Sequence, residues 1–429
     1  MTTTPGRILR TYLALTLLST LASSFIWGIN TLFLLDAGLS PTLAFAANAF
    51  FTAGEVIFEV PTGVVADTWG RRTSYLLGAA TLLVSTLLYL SMWRIHGPFW
   101  GWALSSVLLG LGFTFFSGAT EAWLVDGLGA SGYGGTLEAA FAKGQIANGA
   151  GMLAGTIAGG VVAQVTNLGV PYVLRAAVLG VTFAVAFVWM RDVGFTPRRG
   201  TSATREMRDI LTSSLEQCLR NPPVRWTMLA GVFGSLVAIY GFYAMQPYLL
   251  ELHGRQDYAV AGLAAALVAG SQIAGGLTGP WVRRLFRRRT SAMLLGGVAS
   301  AAALLTMGLS SRFALELGAL ACWALLFAAI QPIRQAFLND LIPSARRATV
   351  LSSDNLLGSA GAAVGQPALG RVAEVWGYGP SYVVSAGVAL MAVPFLFLAR
   401  RAHAPSDAIA VEGGGLAGAG GSEEDAARP

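Results

Sequence analysis

Chemistry in an apolar chain has to come from the few side chains that carry charge, and here they are sparse and patterned. Glu55 and Glu59 lie four residues apart within an apolar run from about Leu43 to Val65, so on a helix they share one face. Glu121 and Arg334 stand five and six residues before Asp126 and Asp340, near the ends of two further apolar runs. At 1.5 Å of rise per residue both lie about 8 Å deeper than the aspartates. Lys143, Arg175, Asp354, Arg371 and Glu374 complete the set. An ionised group at the centre of a bilayer costs at least about 2.5–3.5 kcal/mol, so each needs a partner or a water-filled cavity. A carboxylate in such a cavity can carry protons, and an arginine there can seat an anion. Glu121, Glu55 and Glu59 are therefore the candidates for proton coupling, Glu121 first. Arg334 either holds an anionic group or pairs with Glu121. The alternatives are a permanent Glu121–Arg334 bridge and, for Glu59, hydrogen bonds to Ser352, Ser353 and Asn355.

Those positions have to be held by membrane helices. The chain has 429 residues, 54% hydrophobic and only 12% charged, with a mean hydropathy of +0.61. That is too apolar for a soluble domain of this length. The apolar runs are long enough for spanning helices and too continuous for a barrel. They place twelve spans near 11–37, 41–66, 73–93, 98–126, 137–165, 170–190, 224–252, 257–284, 290–311, 313–341, 349–375 and 379–401. The first run is too long for a signal peptide and has no small-residue cleavage pattern, so it reads as a retained helix.

A net charge of +6 would suggest nucleic acid in a soluble protein, but the arginines fall in alternate loops. Arg7, Arg10, Arg71, Arg72, the runs within 191–225 and 283–289, Arg346, Arg347, Arg400 and Arg401 lie on one side; Arg94, Arg255 and Arg312 lie on the other. The positive-inside rule then puts both termini in the cytoplasm. Basicity reports topology, not a nucleic-acid partner. Cys218 and Cys322 lie far apart on different elements, and His96, His253 and His403 share no ligand spacing, so neither a disulfide, a metal site nor a cofactor is expected.

The apolar run around Glu55 ends abruptly in a loop spaced Gly63-x-x-x-Asp67-x-x-Gly70-Arg71-Arg72. Gly63 suits close helix approach, Asp67 can face helix N-termini, Gly70 permits a tight turn and the arginines anchor the interface. This spacing resembles the signature loop between the second and third helices of major facilitator superfamily transporters, and the resemblance covers about residues 8–402. It implies an all-α fold of twelve transmembrane helices in two six-helix bundles, working by alternating access. It also implies that the loop braces the halves when the cavity faces outward. Asp67 would then meet the start of the eleventh span, with Arg347 as partner, while Asp126 and Asp340 form ion pairs with the arginine loops.

An internal repeat agrees with two bundles. Aligning Glu121 with Gln335 superposes Ala122 on Ala336, Leu124 on Leu338 and Asp126 on Asp340, and Gly279–Ser291 echoes the signature loop with Arg287 and Arg288 for Arg71 and Arg72. The expected domains are 1–190, a cytoplasmic linker at 191–223 with an amphipathic helix near 203–219, 224–402, and a disordered tail at 403–429. The resemblance makes the first, fourth, seventh and tenth helices line the cavity. Trp27, Asn30, Tyr240, Tyr243, Gln246, Gln331 and Arg334 are then the substrate-cavity candidates, with helix packing as the alternative for these stripes.

The functional expectation is a multi-pass, monomeric secondary transporter in the cell membrane, coupling protons to efflux of a small amphipathic solute. Uptake of a metabolite, with a carboxylate for Arg334, is the runner-up. The drug/proton antiporters of the superfamily usually carry an arginine in the fourth helix and a Gly-Pro step in the fifth. Here Glu121 occupies the fourth, and Thr156 follows Gly155. A membrane-embedded enzyme would need a reactive constellation that the peripheral histidines do not supply. A solute sensor that binds without transporting would be separated by counterflow in liposomes.

Overall fold

The computed structural model describes residues 4–197, 221–255, 257–342 and 347–409, with the side chains of 279–284 and 347–349 outside that description. The expected linker helix near 203–219, Cys218 and the tail from residue 410 also lie outside it. The helices are α1 (Pro5–Trp27), α2 (Asn30–Asp36), α3 (Pro41–Trp69), α4 (Arg71–Ile95), α5 (Phe99–Phe116), α6 (Ala119–Ala130), α7 (Leu137–Val165) and α8 (Val170–Trp189). After them come α9 (Pro222–His253), α10 (Tyr258–Arg284), α11 (Arg289–Leu309), α12 (Phe313–Leu341), α13 (Arg347–Trp376), α14 (Tyr378–Leu390) and α15 (Ala392–Arg401).

Local sequence sets many of these boundaries. Pro41 opens α3 while Ser40 Oγ accepts from Leu43 N, and Asn221 and Thr136 cap α9 and α7 in the same way. Three expected spans are interrupted, the last of them at Met391, between α14 and α15. The first breaks between Trp27 and Asn30. The fourth breaks at Ser117–Gly118, where Gly118 takes a left-handed conformation at φ +67° and α6 starts afresh.

Among the described residues, eleven stretches are long and apolar enough to cross a membrane, with Phe99–Ala130 and Tyr378–Arg401 counted across their breaks and the first represented by α1 alone. This is a multi-pass membrane protein. The remaining expected span coincides with α13, which has the length but carries Asp354, Arg371 and Glu374.

Helices α1–α8 pack chiefly on one another, and so do α9–α15; the two sets meet through α3 with α13, α7 with α10, and α2 with α9. Hydrogen bonds join them at the end away from the termini, here called the distal end. Gln246 is buried on α9; its amide donates to Trp27 O at 2.7 Å and accepts from Thr31 N at 2.9 Å, which satisfies the backbone opened by the α1–α2 break. Glu374 accepts from Ser40 Oγ and Thr42 N at 2.9 and 3.1 Å. Where α7 crosses α10, a Cβ on Gly262 would lie 2.7 Å from Thr156 O and 2.8 Å from Gly160 Cα, so only glycine permits this approach. Deeper in, Gln366 Nε2 donates to Thr52 Oγ1 at 3.2 Å.

At the terminal end, each set closes on itself. The chain leaving α8 turns back under α4, where Asp192 accepts from Arg72 N at 2.9 Å. Gly70, at φ +104°, has no room for a Cβ, which would overlap the Asp192 carboxylate. Desolvation pushes that carboxyl up from its ordinary range, against the pull of the Arg72 N–H and the Arg72 and Arg71 charges. Past α15, Asp407 is buried and accepts from Thr290 N and Oγ1 at 2.8 Å each, capping α11. Residues 403–409 are therefore docked, which corrects the expectation that disorder begins at 403.

Candidate functional site

A cavity of about 400 Å³ lies between the two sets of helices. One side supplies Trp27, Asn30, Asn48, Phe51, Glu55, Phe113 and Arg175, and the other Phe242, Tyr243, Ala265, Val268 and Gln272. Its size suits a small organic ligand, and its mostly apolar wall with a few polar groups is the usual composition of such a site. Glu55 also lines a groove towards the terminal end, bounded by Glu59 and Val56 of α3 and by Leu351, Ser352 and Asn355 of α13. The carboxylate thus stands where cavity and groove meet.

Of the expected cavity residues, Trp27, Asn30 and Tyr243 line this cavity. Tyr240 does not: it is buried, its hydroxyl donating to Ser381 Oγ of α14 at 2.5 Å and its ring packing across the seam on Phe45 of α3. Gln246 serves the distal junction. Gln331 and Arg334 face a second, more polar cavity of about 650 Å³ enclosed by α9, α12 and α13.

The Glu121–Arg334 pairing is replaced by another. Arg334 donates from Nη1 and Nη2 to the Asp354 carboxylate at 2.7 and 2.6 Å, with Nη2 also reaching Thr227 O at 3.4 Å. This bidentate geometry commits both terminal nitrogens of the guanidinium to Asp354. Glu121 is exposed on the first turn of α6, three residues past the break at Gly118. Glu59 takes a hydrogen bond from Ser117 Oγ at 2.9 Å, at the same break, instead of from Ser352, Ser353 or Asn355.

The signature loop holds its own half together in this state. Asp67 pairs with Arg71 at 2.6 Å one turn on, and Arg71 Nε lies 3.9 Å from Asp126. Its expected partner, the Arg347 side chain, falls outside the described residues. Arg72 donates to Phe187 O at 2.8 Å. A Cβ on Gly63 would meet nothing within 4 Å, so no helix closes on it here. In the second half Arg289 pairs with Asp340 at 2.5 Å, which makes Arg289 the spatial equivalent of Arg71, two residues beyond the expected Arg287.

Two groups were passed over as site residues. Arg175 of α8 stood among the ionisable positions without a role, yet it is 1% exposed and reaches the cavity wall. Asn48 gave no signal, being one amide in an apolar run; it accepts from Asn30 Nδ2 at 2.9 Å, and Asn30 in turn accepts from Tyr172 Oη at 2.9 Å. Glu316, also unremarked, is buried at the start of α12, and neither of its oxygens has a hydrogen-bond partner.

A family model described as Major Facilitator Superfamily matches residues 12–365 and 256–422. No curated protein sequence matches. Among solved structures, the nucleoside transporter NupG superposes with a TM-score of 0.77 at 12% identity, covering 92% of this chain and 99% of that one. A bacterial homologue of the human lysosomal transporter Spinster, in an inward-facing and unoccupied conformation, gives 0.71 at 15%, covering 92% and 97%. The POT family transporter PepTSo gives 0.70 at 12%, covering 92% and 98%. At these identities the likeness is one of fold.

Proposed function

Because the chain belongs to the major facilitator superfamily, a family of solute transporters, we propose that it is a proton-coupled exporter of an amphipathic organic solute. In this reading twelve helices span the membrane, the terminal end is cytoplasmic, and the cavity is inward-facing, sealed outside by Gln246, Glu374 and the Gly160–Gly262 crossing. The observation that carries the proposal is the place of Glu55, a carboxylate shared by the apolar cavity and the groove leading to the arginine-bearing end. A proton taken up or released there is exchanged with the cytoplasm in this state. When the halves rock and the groove closes, the same group faces the other side. Glu55 therefore replaces Glu121, which lies outside both cavities, as the coupling residue. Export is the assigned direction because a solute apolar enough for this cavity enters cells through the bilayer unaided in its uncharged form, so work is needed only to move it out.

The test is transport in liposomes holding the purified protein, with a panel of amphipathic aromatic probes and an imposed pH gradient of either sign. Wild type should move probe against its gradient in exchange for protons. Glu55→Gln should keep solute exchange and lose the response to the pH gradient. A pH response intact in Glu55→Gln would exclude this residue, and probe movement indifferent to pH in wild type would exclude proton coupling.

A further inference from the structure

Two hydrogen-bond donors in the central cavity have no acceptor. Arg175 enters from α8; its Nε donates to Thr86 Oγ1 of α4 at 3.0 Å, and the Phe113 ring of α5 lies 6.0 Å from the guanidinium carbon. Its Nη2 is buried without a partner. Among the described residues no carboxylate comes within 4 Å of it, although Glu55 lines the same cavity. Asn48 repeats the pattern: its oxygen is used by Asn30, and its Nδ2 is buried without a partner. The neighbouring hydroxyls do not supply the missing acceptors here: Tyr172 Oη donates to Asn30, Tyr89 Oη bonds Ser106 Oγ at 2.6 Å, and neither accepts from Arg175 Nη2 or Asn48 Nδ2.

A guanidinium is charged at neutral pH and offers five N–H donors in a planar fork. Enclosed by aromatic and aliphatic groups, it incurs a desolvation cost that an anion of matching geometry would offset. At Arg175 and Asn48 the surplus is of donors, and a ligand that brings only donors would leave these two unsatisfied. The rest of the wall, Phe51, Phe113, Phe242, Ile26 and Met152, suits an apolar body.

The geometry points to Arg175, with Asn48 in the same cavity wall, as the seat for an anionic group on the transported solute, which makes that solute an amphipathic carboxylate. This assignment rests on the reading of the central cavity as the transport site. It moves the anion seat from Arg334, whose fork is filled by Asp354, to the opposite half of the molecule. Arg175 is a specificity residue here, and Glu55 keeps the proton.

The test uses the full chain in lipid nanodiscs and isothermal titration with three matched sets: benzoate, 2-naphthoate and biphenyl-4-carboxylate, each with its amide and its aminomethyl analogue. In wild type at least one carboxylate should bind about 10–100-fold tighter than its amide, the range for a hydrogen bond to a charged group. The preference should vanish in Arg175→Gln, survive in part in Arg175→Lys and fall in Asn48→Ala. Amides or amines binding as well as their carboxylates, no binding by any carboxylate, or a preference that persists in Arg175→Gln would each overturn the assignment. Should Arg175→Gln not fold, the Asn48→Ala ratio decides, and an unchanged ratio overturns it. Proton-driven movement of amides or amines without carboxylate preference sinks the anion seat and leaves the transporter reading. Arg175-dependent carboxylate binding without proton-driven movement does the reverse.

Discussion

The crossing of α7 and α10 offers a direct handle on the conformational balance. In Gly262→Val the new Cβ starts 2.7 Å from Thr156 O and 2.8 Å from Gly160 Cα. Both are backbone atoms of the opposite half, so no side-chain rotation relieves the overlap. Ordinary contact needs about 3.5–4.0 Å, and the helices must part by about 1 Å before the γ-methyls are counted. Overpacking of this kind costs about 1–3 kcal/mol. The cost falls only on the state in which the distal end is closed, so it shifts the two-state balance by about 5–150-fold towards opening there. The assay is the spin-label distance between Thr166→Cys and Arg312→Cys, two exposed distal-end positions in opposite halves, in a background carrying Cys218→Ser and Cys322→Ser. The long-distance population should rise in Gly262→Val and stay put in Gly63→Val, where a Cβ meets nothing within 4 Å. A folded Gly262→Val protein with the parent's distance distribution would refute the claim that this glycine contact gates the distal end.

Two further outcomes follow from the terminal side. Arg334→Gln or Asp354→Asn alone should lower stability by roughly 3 kcal/mol, because each strands the other member of a largely buried bidentate pair. Thermal unfolding of the double variant should recover most of that loss, and additive losses would argue against pairing. Asp192→Ala and Asp407→Ala should each cost about 1 kcal/mol as lost helix caps, with Asp192→Asn retaining an acceptor for Arg72 N and losing less. Equal losses in Asp192→Ala and Asp192→Asn would show that the carboxylate acts through charge instead.

The all-helical membrane fold was legible because hydropathy runs and arginine placement depend only on local composition. Breaks within runs were not. Gly118 sits in an apolar stretch that reads as one helix, and its left-handed backbone ends one helix and begins another. Depth arithmetic along a continuous helix therefore placed Glu121 in a cavity it does not line. Arg334 failed for another reason: its partner Asp354 lies 20 residues on, across a helix connection, and sequence spacing says nothing of which helix faces which. Tyr243 was found and Tyr240 was not a cavity residue, although three residues separate them on one face. Which part of a broad face turns towards the other half is fixed by tertiary contacts. Arg175 was visible as a buried charge, but its surroundings come from α4 and α5, far away in sequence.

The paired caps at the terminal end carry a record of ancestry. Asp192 reaches back 120 residues to the second position of α4, and Asp407 reaches back 117 to the second position of α11. Around these points the two copies have drifted far: Gly70 and Arg72 in one are Arg288 and Thr290 in the other. The residue letters differ while an acid stands opposite a helix N-terminal N–H in each, so the internal repeat shows as a relation between positions more clearly than as a motif. Alignments of the two halves are best anchored on those acids, and a fusion at residue 402 would sever one copy's clasp where a fusion after Ile409 would spare it.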